Sequence, residues 1–138
     1  MAAMTGEEIY EAATRGFVVR VKPEFLPDRS DPEQSRWAWA YTIEVENHGA
    51  ETAQLLSRHW IITDARNHVE EVRGPGVVGE QPILKPGEAF RYTSGCPLET
   101  SSGAMRGSYQ MVSSAGETFE IDIPEFSLHL PQAKQRLN

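Results

Sequence analysis

From Trp37 the side chains alternate. Trp37, Trp39, Tyr41, Ile43 and Val45 fall on one parity, and Ala38, Ala40, Thr42, Glu44 and Glu46 on the other. Successive side chains of a strand point to opposite faces, so this is an amphipathic strand with one large apolar face. Phe17, Val19 and Val21 alternate with Val18, Arg20 and Lys22 in an earlier strand. Met105, Tyr109 and Met111 define another, and Phe119, Ile121 and Ile123 a further one. After Pro124 the apolar parity shifts to Phe126, Leu128 and Leu130, which predicts a bulge or bend at the proline. Residues Gln54 to Thr63 carry apolar side chains on both parities, as in a central strand covered on both faces. Glu88 to Thr93 is a strand with Phe90 and Tyr92 on one face.

Turn chemistry separates these segments. Asn47-His48-Gly49, Asp64-Ala65-Arg66-Asn67, Lys85-Pro86-Gly87 and Ser114-Ala115-Gly116 read as connections. Pro23 to Ser35 reads as a surface loop with three prolines. Residues Glu7 to Ala13 read as a short helix or a fraying end, and past residue 14 no helical period with caps is found. About seven short antiparallel strands in a chain of 138 residues predict one all-β domain, an immunoglobulin or fibronectin type III-like sandwich. A small closed barrel is the alternative. The single cysteine cannot supply the inter-sheet disulfide of true immunoglobulin domains, which favours the fibronectin-like kind.

One stretch stands apart. Residues Arg73 to Pro82 place Gly74, Gly76 and Gly79 within six positions, and Cys96 follows between Gly95 and Pro97. Glycine is costly to order, so its crowding signals a required backbone shape with positive φ. The strings RHW from Arg58, VEEVRGPGVVGEQP from Val69 and YTSGCPL from Tyr92 resemble the ApaG family. Gly103, Met105, Gly107 and Tyr109 extend the match, and Phe119, Ile121, Pro124, Phe126 and Leu128 close it. The resemblance runs over residues 14–130. Residues 1–13 read as an extension outside the family and 131–138 as a polar tail. What the resemblance implies is a fibronectin type III-like sandwich in a small bacterial cytosolic protein. It further implies a genetic link to cobalt resistance and magnesium efflux, and in eukaryotic relatives an interaction module.

Charge narrows the partners. Thirteen Lys and Arg stand against twenty Asp and Glu, a formal net charge of −7. Such a surface repels phosphate backbones and anionic membranes, which argues against nucleic acid and membrane insertion. The amino terminus has no basic and apolar signal-like region, and one cysteine suits a reducing compartment, so a cytoplasmic location is expected. The expected partner is a protein, and homo-oligomers are left open.

The candidate chemistry is sparse. Gly74-x-Gly76-x-x-Gly79 has the letters of a dinucleotide fingerprint, but that mechanism needs a following helix and Pro82 stands there instead. A nest of backbone amides beside Arg73 would bind a phosphate without a helix, the basis of a nucleotide-sensing alternative. The plainer account is a shaped turn or a partner-binding loop made of Arg73, Gly74, Gly76 and Gly79. Asp64, His68 and Glu70 cluster near one turn with Asn67 and Glu71, as weak candidates for a divalent metal, yet no metal-ligand spacing is present. Cys96 has no histidine at a telling spacing and reads as a buried thiol. No cofactor and no catalytic constellation are read, so the leading expectation is a non-enzymatic interaction or regulatory module. Trp37, Trp39 and Trp60 are expected in the core.

Overall fold

The computed structural model describes residues 8–131. Nine strands follow one another: β1 Tyr10–Thr14, β2 Phe17–Phe25, β3 Trp37–Asn47, β4 Ala53–Asp64, β5 Val69–Pro75, β6 Ile83–Leu84, β7 Ala89–Leu98, β8 Gly103–Ser113 and β9 Thr118–Leu128. Two short 3₁₀ turns, Pro27–Arg29 and Pro32–Gln34, lie in the proline-rich loop. All pairings are antiparallel. One sheet has the order β1-β2-β3-β7, and the other β5-β4-β8-β9 with β6 beside β4. This is the expected two-layer all-β sandwich.

Three of the nine strands, β1, β5 and β6, lie outside the six alternating segments read from the sequence, and β5 takes Arg73 and Gly74 of the glycine-rich stretch into a strand and not a loop. β1 forms where a helix or frayed end is expected, and it crosses the boundary drawn at residue 14. Its alternation is weak in sequence, and pairing with β2 creates the strand. β6 is two residues long, too short for a periodic signal. The parts of the outer segments at residues 1–7 and 132–138 lie outside the described residues.

The core sits between the sheets. Val19, Val21, Ile43 and Val45 of one sheet meet Leu55, Met111 and Ile121 of the other, all fully buried. Tyr41 of β3 makes a ring cluster with Trp60 and Phe126 across the layers, at centroid separations of 5.3–5.9 Å. Trp39 is buried and its Nε1 donates to the His129 carbonyl at 3.0 Å. Trp37 departs from expectation. It is half-buried at the start of β3 and packs against the margin of the core.

Two bulges set the parity. In β9 the register jumps so that Met105 pairs Phe126 while Gly107 pairs Ile123, which puts the extra residue at Pro124–Glu125, as the proline predicts. In β4 the register shifts between Leu55 and Ser57. Ala53 and Leu55 point inward before the shift, and Arg58, Trp60 and Ile62 share the inward parity after it. The mixed parity of β4 is therefore a bulge, where the sequence reads as a strand covered equally on both faces.

Candidate functional site

The glycine-rich stretch is a tight hairpin turn at the end of β5. Val77 and Glu80 exchange backbone hydrogen bonds of 2.8 and 2.9 Å around a two-residue tip, Val78 and Gly79. Both tip residues have positive φ, +42° and +82°, the pattern of a type I′ turn. Val77 is fully buried and Val78 is exposed. Gly76 also has positive φ, +59°, and a Cβ there would stand 2.2 Å from the Glu80 carbonyl oxygen. Gly74 answers a different need. A Cβ on it would meet three atoms of the Arg58 guanidinium at 3.0–3.1 Å, so this side chain lies flat on the glycine.

Three of the turn's amides, those of Gly76, Val77 and Glu80, are spent on the protein itself. Gly76 N–H donates to the Leu56 carbonyl at 2.8 Å, and the Val77 and Glu80 amides serve the hairpin. The strand leads into a hairpin and not a helix, so the dinucleotide mechanism lacks its dipole. Arg73 does not reach the turn. It lies on the outer face beside Glu71, 3.5 Å away, and its side chain is largely exposed. His59 Nε2 contacts the same Glu71 oxygen at 2.8 Å, and this hydrogen bond holds the carboxyl below its usual range.

The arginine that does touch the turn is Arg58. Its Nη1 donates to the carbonyls of Pro75 and Gly76, each at 2.9 Å. Sequence reasoning passes over Arg58 because only the bulge in β4 brings it to the inner parity. The one readable signal is its place in the family-like string from Arg58 to Trp60.

Arg58 opens onto a cleft. β5 is the edge of one sheet and β7 the edge of the other, and the two do not pair. Between them is a cavity of about 270 Å³, floored by Tyr41, Trp60 and Ile62 and walled by Val72, Ser94 and Cys96. A wider groove of about 440 Å³ continues it, sharing Ile62, Glu70 and Pro97 and adding Arg29, Arg36, Trp37 and Leu98. Burial raises the Tyr41 hydroxyl above its ordinary value, against the pull of its hydrogen bond to Ser94. Deeper in, the Tyr92 and Tyr109 hydroxyls bond each other, and burial raises both.

The weak metal candidates share this groove without converging. Asp64, His68 and Glu70 all line it. Yet Asp64 Oδ1 accepts the amides of Arg66 and His68, each at 2.9 Å, and these bonds hold its carboxyl low. Among the described residues no three His, Cys, Asp or Glu side chains come together as a metal shell. Cys96 is buried, with its Sγ 3.7 Å from the Pro97 carbonyl. Burial, with Glu70 nearby, pushes its thiol up to about 12, so it stays protonated. Three of the histidines contact Glu46, Glu71 and Glu8, away from this sulfur.

A family model described as the ApaG domain matches residues 27–113. The chain belongs to the ApaG family. It is 63% identical over 129 residues to Protein ApaG of Caulobacter vibrioides, covering 94% of this chain and 92% of that protein. It is 57% identical over 130 residues to Protein ApaG of Rhodospirillum centenum, covering 94% of this chain and all of the relative. The crystal structure of the putative ApaA protein from Bordetella pertussis superposes with a TM-score of 0.82 at 52% identity, over 84% of this chain and 94% of that one. Relatives this similar share the sandwich seen in this ApaG-family chain. Among the described residues no helix is long and apolar enough to cross a membrane.

Proposed function

We propose that the chain is a non-enzymatic protein-interaction module that acts in the cytoplasm, and that its working surface is the β5–β7 cleft capped by the glycine-rich turn. The observation that carries this reading is the pair of unpartnered edge strands flanking a cavity. An open edge offers a row of backbone donors and acceptors to another chain, and proteins usually cover or blunt it. Here Pro97 blunts one end of β7, and the rest of the strand is available. Peptide recognition by strand addition uses such an edge for affinity and the adjoining pockets for specificity. Exposed Val69, Val78 and Ile83 add apolar surface on β5, at the turn tip and on β6.

The glycine-rich turn supports this role as a fixed cap. It seats Val77 in the core and holds Arg58 in place, and its amides at Gly76, Val77 and Glu80 are already bonded within the chain. The nucleotide-sensing alternative would need other donors. The cobalt and magnesium association implied by family resemblance then belongs to the partner's activity, with this chain as a regulatory subunit.

Val72 tests the reading. It is half-buried on β5 and lines the cleft. Val72→Lys puts a flexible charge across the cleft mouth, where lysine can reach solvent. Glu120→Lys, on the exposed face of β9, is the control. Affinity capture from a lysate of the organism of origin should retain a discrete protein with wild type and Glu120→Lys, and lose it with Val72→Lys. Undiminished recovery by a folded Val72→Lys variant overturns the proposal.

A further inference from the structure

Arg58 is a half-buried cation that forms no ion pair among the described residues. Its guanidinium is met by two carbonyl oxygens and the bare face of Gly74. Arg15, Arg20, Arg73 and Arg91 on the outer faces each meet a carboxylate. Arg58 meets none among the described residues. The guanidinium is only partly withdrawn from water, and the cavity it lines leaves room for an anion to replace that water as its counter-charge. Both hydrogen bonds leave from Nη1, so Nη2 donates to no group among the described residues. The guanidinium plane is fixed by the turn and by the glycine beneath it. The hydroxyls of Tyr41 and Ser94 border the same cavity.

We infer that this cavity receives a carboxylate side chain, glutamate or aspartate, from an extended partner segment lying along the β7 edge. This deepens the proposed protein-interaction role and rests on it. A planar guanidinium held in one orientation suits the fork geometry of a carboxylate. An added strand would send alternate side chains into the cleft. One acidic residue would meet Arg58, and its neighbours two positions away would meet the apolar surface of Trp60 and Val72. Glu70 limits the pattern. It stands on the same inward parity of β5 as Gly74, four residues from it and about 13 Å along the strand, so a second acid at that distance is repelled.

The test uses two capped seven-residue peptides of alternating valine and threonine, one with a central glutamate and one with glutamine there. Each is titrated into the full ¹⁵N-labelled chain while backbone amide shifts are followed by NMR. The expected result is that both perturb β5 and β7, with the glutamate peptide binding at least tenfold more tightly. The gap should close in Arg58→Gln and narrow in Arg58→Lys, which keeps the charge and loses the fork. Equal affinity of the two peptides for wild type, with shifts in β5 and β7, overturns the carboxylate inference and leaves the edge-strand reading standing. Shifts confined to other strands, or none up to millimolar peptide, overturn both. The wild-type comparison decides the question even if Arg58→Gln does not fold.

Discussion

The two long seams of this sandwich are built to opposite plans. At the β1–β9 seam side chains bridge the layers along its middle, with cavities of about 280 and 300 Å³ left at its two ends. Tyr10 packs on Phe126 and Phe17 on Phe119, at centroid separations of 6.1 and 5.9 Å. The Asp122 amide donates to Thr14 Oγ1 across the gap at 3.1 Å, and Arg15 pairs with Glu117. At the β5–β7 seam the layers part around a cavity bordered by hydroxyls, a thiol and an arginine that forms no ion pair among the described residues. The same layered architecture thus yields a bridged side that holds the fold and an open side free to bind. Side-chain choice at the edges, and not topology, makes the difference.

Damage to the bridged side should have the largest effect on stability. Trp39 is 1% exposed, packs on Phe25 and donates to the His129 carbonyl beyond β9. Trp39→Ala is expected to cost about 3–5 kcal/mol, as removal of a large buried aromatic does. A denaturation midpoint near that of wild type would break the comparison, because the bridged side would then contribute little.

The glycine-rich turn caps the open side, and its glycines should separate. At Gly79 nothing lies within 4 Å of an added Cβ, so Gly79→Ala suffers only the strain of a left-handed backbone, about 1–2 kcal/mol. Gly76→Val suffers backbone strain of about 1–3 kcal/mol. It also drives its Cβ against the Glu80 carbonyl, which must move and take buried Val77 with it. Thermal melts should therefore rank Gly76→Val below Gly79→Ala. The reverse order would mean that the hairpin yields freely and does not fix Arg58.

Cys96 sharpens the contrast from within the cleft. A cavity that admits a peptide edge need not expose the thiol on its wall. With its pKa pushed up to about 12, labelling at pH 8 by a thiol reagent should be on the order of 10³-fold slower in the folded chain than in denaturant. Rapid labelling of the native protein would show that the cleft opens well beyond the described geometry.

The fold was legible because its strands obey period two. The Trp37–Val45 alternation and the Pro124 parity break each map onto an observed feature, the second onto a bulge at the proline. The site was harder to read, for physical reasons. The glycines announce a shaped backbone, and their positive φ at positions 76 and 79 follows. The side chain they serve, Arg58, is brought inward by a bulge that leaves only mixed parity in the sequence. Arg73 is adjacent in sequence to the first of these glycines and faces the other way, because neighbours on a strand point to opposite faces. Trp37 shows the same limit, since alternation gives a face but not how deeply each position on it is buried.

The smallest expected effect lies at the latch of the bridged seam. Arg15 donates to both carboxylate oxygens of Glu117, at 3.2 and 3.0 Å, while its guanidinium sits 4.3 Å above the Phe119 ring. The hydrogen bonds from Arg15 lower the Glu117 carboxyl below its usual value. A carboxyl lowered by folding stabilises the folded state above its unfolded pKa of about 4.3. That contribution is lost as the pH falls through the lower folded value. Both partners are exposed, so the pair is screened and weak. Glu117→Gln should melt slightly below wild type at pH 7. The gap should close on acidification below the usual carboxylate range, and in molar salt at neutral pH. The aromatic contacts and the Thr14 bond stay in place in this variant, so the seam should remain bridged. A large loss of stability in Glu117→Gln would assign the bridging of this side to charge and not to its apolar contacts, and would undo the contrast between the two seams.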